Sequence, residues 1–125
     1  MTSVDGTVPP GWPEEVRPVG APDWERTAVA WLFDLCPPDY RSHEVLRRFP
    51  VLLARFAGDH VEAGLEAARK GWRTVRVDLA DHLPADAIEA AMVAYEREGA
   101  RLAAAARGIE VVAAALRGER WVPRL

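Results

Sequence analysis

Residues 61–99 read VEAGLEAARKGWRTVRVDLADHLPADAIEAAMVAYEREG, and the proline at position 84 divides two apolar stripes that repeat in steps of four and three. Before it, Val61, Leu65, Ala68, Trp72, Val75 and Leu79 recur at the heptad interval. After it the stripe is Ile88, Met92, Tyr95, Gly99, Leu102, Ala106, Ile109, Ala113 and Leu116. Proline cannot continue a helix but suits the first turn of one, so Pro84 ends one helix and begins the next, as Pro50 begins the earlier one. The pattern predicts helices over about 50–83 and 84–117, joined by a turn so short that the second must return antiparallel to the first.

An antiparallel hairpin has a fixed register, and here facing core positions have numbers that sum to about 167. Trp72 then meets Tyr95, Ala68 meets Gly99 and Leu65 meets Leu102. On one flank of this seam the register sets Arg55 against Glu110, Arg69 against Glu96 and Arg76 against Glu89, all opposite in sign. On the other flank lie Ala57, Gly64 and Gly71 from the first helix and Ala91, Ala105 and Val112 from the second. That flank is small and apolar, so it reads as a groove that another helix should fill. Glycine in an exposed helix costs about 1 kcal/mol relative to alanine, and two a heptad apart suggest that a neighbouring backbone needs the room.

The natural occupant lies upstream. Ala28–Cys36 reads AVAWLFDLC, apolar nearly all round, as in a helix buried on several sides. A helix over about 22–36 is expected, opening at Pro22 with Asp23 and Glu25 in its first turn and stopping before Pro37 and Pro38. It spans roughly 20 Å, against about 50 Å for the hairpin, so a large part of the groove would need a second copy or another protein to cover it. Between the two, Ser42 is placed to cap a short helical turn through Arg48 with Val45, Leu46 and Phe49 on its apolar side. Residues 1–21 hold four prolines and three glycines and read as an extended arm, leaving 22–125 as a single helical domain. The fold class is therefore all-α: a small helical bundle on a long antiparallel coiled-coil hairpin.

Composition narrows the function. At 125 residues the chain forms one domain, and a net charge of −3 with interleaved signs argues against nucleic acid or an anionic membrane as partner. One cysteine, Cys36, excludes an internal disulfide, and no apolar run suits a membrane span or a secretion signal, so a cytoplasmic location is expected. Arginine outnumbers lysine 15 to 1 and Asn and Gln are absent, a bias of GC-rich bacterial codon usage more than a physical adaptation.

Each candidate for chemistry meets a plainer explanation. His82 with Asp78, Asp81 and Asp86 at the hairpin turn could offer metal ligands, but an acidic, solvated turn carries the same residues, and a zinc or copper site needs three or four converging ligands. His60 beside Asp59 and Glu62, and His43 beside Glu44, suit surface or boundary positions. Cys36 lacks an activating neighbour in sequence and reads as a small buried hydrophobe. Arg69, Lys70, Arg73 and Arg76 form a basic run offset by Glu66 and the facing glutamates. Gly64, Gly71, Gly99 and Gly108 follow no phosphate-binding spacing. No catalytic residue, metal site or cofactor is therefore assigned.

Two functional expectations follow. The first is a non-enzymatic interaction or adaptor module, self-associating as a homodimer or meeting another protein through Ala57, Gly64, Gly71, Ala91, Ala105 and Val112. Trp12 and Trp121, at the open end of the hairpin with Trp24 and Trp31, serve there either as a capping mini-core or as a recognition surface. The alternative is a ligand-binding or sensing domain whose pocket is lined by Trp31, Trp72, Met92 and Tyr95.

Overall fold

The computed structural model describes residues 8–124. Among them there is no strand, and the order is α1 (Trp24–Asp34), a 3-10 turn (Pro38–Ser42), α2 (Glu44–Arg48), α3 (Pro50–Leu79) and α4 (Ala85–Leu116). Pro50 stands in the first turn of α3 and Pro84 immediately precedes α4 in an extended conformation, so both prolines act at the helix boundaries where their chemistry puts them. Residues 80–84 make the turn, tied by the Leu83 N–H to the Leu79 carbonyl at 3.1 Å, and α4 runs back along α3. The helical hairpin is the frame of the molecule.

The seam of that hairpin is rotated from the expected stripe. The α3 side chains that turn inward are Ala54, Ala57, Val61, Ala68 and Val75, with Gly64 and Gly71 half-buried among them, while Trp72 and Leu79 are exposed. Side-chain size explains the rotation. A Cβ on Gly71 would stand 2.2 Å from the Tyr95 ring, and one on Gly64 3.1 Å from Leu102, so the bulky residues of α4 lie in notches that the glycines leave open. A Cβ on Gly58, beside the next member of that column, Ala57, would meet Ile109 at an ordinary contact distance of 3.6 Å. Large side chains of one helix entering the small column of the other bring the helices close, and the bulky column of α3 is turned outward. The antiparallel pairing and its register stand, but Gly64 and Gly71 face α4 rather than α1 or a second chain.

The shorter elements close one flank of the hairpin at its base. Ala28, Trp31, Leu32 and Phe33 of α1 pack into one core with Leu46, Leu53, Ala57, Val61, Leu102 and Val112. The Trp31 ring covers Gly108, where a Cβ would stand 3.0 Å from it. α1 begins at Trp24 rather than Pro22, because Ala21 and Pro22 belong to a turn that accepts the Trp24 N–H on Ala21; Asp23 is spent on Arg17 and Arg26. Ser42 does not cap α2. Its hydroxyl donates to the Asp39 carbonyl within the preceding 3-10 turn, and His43 occupies the cap position.

The arm departs from expectation in a second way. Its described part is not extended but a string of tight turns, closed by N–H groups of Trp12, Val16 and Ala21 onto the carbonyls of Pro9, Pro13 and Pro18. Gly11 supplies the positive φ, +89°, that one of them needs. Val16 is buried in the same core as α1, so this stretch is packed into the helical domain; residues 1–7 lie outside the described range.

Candidate functional site

Two flanks run beside the α3–α4 seam, and they differ in cover. The flank of Ala57, Gly108 and Val112 lies under α1 at the base, and Ala57 and Val112 are fully buried. Further along, Leu102 and Tyr95 fill Gly64 and Gly71. Ala91 and Ala105 are half-buried there. The open groove expected on this flank does not exist: α1 and the large residues of α4 occupy it.

The opposite flank is open. Its main feature is a cleft of about 450 Å³ with a floor of Leu65, Ala68 and Trp72 from α3 and Tyr95, Gly99 and Ala103 from α4. Arg69 and Arg73 stand on the α3 rim and Glu96 on the α4 rim. A second trough of about 550 Å³ lies nearer the base, between Val51, Leu52 and Arg55 of α3 and Ala113 of α4 with Arg117 just past that helix, and with Phe49 at its end. Val51, Gly58, Leu65, Trp72 and Leu79 are a heptad apart, as are Arg55, Glu62, Arg69 and Arg76, so both clefts lie on the same side of α3.

The charged residues that should close this face remain apart. None of Arg55–Glu110, Arg69–Glu96 and Arg76–Glu89 forms an ion pair. Arg69 turns to Glu66 on its own helix at 3.9 Å, and the Arg76 guanidinium reaches the Met92 sulfur at 3.4 Å. With Leu65 and Trp72 rotated onto this flank, the rims stand on either side of an apolar floor instead of meeting across a closed seam.

The aromatic residues named from sequence divide in two. Trp72 and Tyr95 share the cleft, with Met92 half-buried beyond them. Trp31 sits instead at Gly108, about 20 Å further down α4, so it cannot complete a pocket with them. Trp31 belongs to the capping mini-core with Trp12 and Trp24, whose rings lie 6.2 Å apart. The Trp12 indole N–H donates to the Val16 carbonyl at 2.9 Å. Trp121, in the tail after Gly118, keeps 41% of its surface exposed.

Two further groupings were not foreseen. The Tyr40 ring meets Phe56, His60 and His43 edge-on at 6.0–6.3 Å, a surface aromatic cluster assembled by the 3-10 turn against α3. Glu98 accepts two hydrogen bonds from Arg101, at 3.0 and 2.6 Å, which hold its carboxyl below the usual range. Burial pushes the Cys36 thiol up, opposed by the nearby Arg41 charge. Among the described residues no polar or charged side chain is buried, and no three His, Cys, Asp or Glu side chains converge as a metal site would require. No described helix is long and apolar enough to cross a membrane.

No protein-family model matches this chain, and no curated protein or solved structure proved similar to it. The functional reading therefore rests on the geometry of the open face.

Proposed function

We propose that this protein is a non-enzymatic helical interaction module that self-associates through the open face of its hairpin. The observation that carries the proposal is the contrast between flanks: one is covered by α1 at its base and filled by Leu102 and Tyr95 further along, while the other presents Trp72 and Val51, each 43% exposed, on an uncovered apolar floor. Apolar surface of this extent is a mark of association. α3 has 30 residues, so the face is about 45 Å long and roughly 20 Å across two helices, on the order of 800–900 Å² per copy. That is the area each partner contributes to a standard stable interface, about 800 Å². A second copy, packing the same face, completes a four-helix bundle.

A small-molecule reading retains one supporting observation, since Trp72 and Tyr95 line a cleft within the ~300–1,000 Å³ range of ligand sites. Sedimentation velocity from low micromolar to millimolar concentration separates the two. Self-association is expected to give a dimer that Trp72→Ala converts to monomer, with no small molecule retained in native mass spectrometry. A monomer at every concentration that carries a bound apolar compound would reverse the choice.

A further inference from the structure

Resting on that reading, we infer that the dimer is parallel, with both hairpin turns at the same end and α3 of each copy lying on α4 of the other. The rims decide the orientation. The α3 rim of the open face carries Arg55, Arg69, Arg73 and Arg76 with one carboxylate, Glu62, among them, and the α4 rim carries Glu89, Glu96 and Glu110, with Arg117 just past the end of the helix. Within one chain none of Arg55, Arg69, Arg76, Glu89, Glu96 and Glu110 pairs with a charge on the opposite rim, and the one crossing contact is from Arg76 to the Met92 sulfur.

Two arrangements bring the face against itself with two-fold symmetry. A two-fold axis across the helices lays α3 on α3 and α4 on α4, so a rim of net positive charge meets its own copy, as does the net negative rim, over a desolvated floor. An axis along the hairpin lays α3 on the partner's α4 and preserves height. Each arginine then stands opposite the glutamate that the hairpin register already sets level with it: Arg55 with Glu110, Arg69 with Glu96, Arg76 with Glu89. Ion pairs that the rotated seam keeps apart within the chain form between copies, and like-charge contact excludes the other orientation.

A second observation places the tryptophan. A Cβ on Gly99 would meet nothing within 4 Å, so this glycine, unlike Gly64, Gly71 and Gly108, makes room for no group of its own chain. A helical side chain leans toward the N-terminus of its helix, which carries Trp72 from the level of Tyr95 toward that of Gly99. In the parallel dimer the Trp72 ring of each copy enters the notch at Gly99 of the other.

Sedimentation equilibrium on charge-reversed chains tests the orientation. Arg69→Glu and Glu96→Arg, both at exposed positions, are each expected to weaken the homodimer at least tenfold, because each puts like charges opposite one another twice. Mixing the two variants restores a heterodimer of wild-type strength, since both contacts are again opposite in sign. Gly99→Leu, which fills the notch, is expected to remain helical by circular dichroism and to lose the dimer. Asp81→Cys, in the turn, supplies the geometric readout. Parallel packing lets a short bis-maleimide link the two turns, whereas antiparallel packing holds them roughly 45 Å apart. A wild-type chain that never dimerises overturns the self-association reading and this inference together. A wild-type dimer that tolerates both single reversals, or whose turns do not crosslink, overturns the parallel arrangement alone.

Discussion

On one side of the α3–α4 seam Ala57 and Val112 are wholly buried, and on the other Val51 and Trp72 each keep 43% of their surface in water. The same two helices and the same heptad spacing produce both. The difference is side-chain size. Where α3 presents alanine and glycine, the large residues of α4 and the whole of α1 come in close. Where it presents valine, leucine and tryptophan, the helices have already met along the small column and the bulky one is left outside. A heptad stripe therefore fixes that a helix pairs, while the small residues beside it fix which way the helix turns.

The largest expected effect lies on the covered flank. Leu53→Ala removes a fully buried side chain beneath α1 and is expected to cost about 2–5 kcal/mol in urea unfolding. Trp72→Ala, although it deletes more atoms, is expected to cost the dilute protein less than Leu53→Ala does, because 43% of its surface is already in water. Equal losses at the two positions would erase the distinction between flanks.

Glycines sharpen the comparison on a smaller scale. At Gly108 a methyl group would press on the buried Trp31 ring, and overpacking of about 1–3 kcal/mol should outweigh the helix-propensity gain, lowering the melting temperature. At Gly99 nothing stands in the way, and Gly99→Ala should raise stability by up to about 1 kcal/mol in dilute solution. Opposite signs in thermal melts are the expected result.

The smallest effect concerns pH. Burial raises the Cys36 thiol above its ordinary value of 9.0, so the folded state holds that proton longer than the unfolded chain does. The associated stability is fully present below that value and falls as pH rises beyond it. Chemical denaturation of wild type beside Cys36→Ala is expected to show a steeper decline for wild type above pH 9, and parallel curves would remove the thiol from the account.

Much of the fold was legible because prolines and heptads act locally: Pro50, Pro84 and the two stripes mark α3, the turn and α4, and the short turn sets the register. The phase of the seam was harder to read. Hydrophobicity ranks Leu65 and Trp72 above Gly64 and Gly71, yet the register already set the glycines level with Leu102 and Tyr95, a large-opposite-small pattern that was there to be used. The same difference in side-chain size leaves the cleft on the flank opposite Gly64 and Gly71. The ion pairs expected across it failed because Arg69 had a nearer partner in Glu66, and i,i+3 neighbours meet without any help from tertiary packing. The tight turns of the arm leave only proline and glycine content in the sequence, which an extended segment shares.

The central claim is that association buries the open flank and leaves the covered one unchanged. Fluorine NMR of protein labelled with 5-fluorotryptophan, its signals assigned by single Trp→Phe variants, follows both flanks in one titration. As concentration rises through the dimerisation range, the Trp72 resonance is expected to shift and lose its sensitivity to solvent isotope, while that of Trp31, already buried against Gly108, stays in place. A Trp72 signal that remains solvent-exposed while the protein sediments as a dimer would contradict the claim.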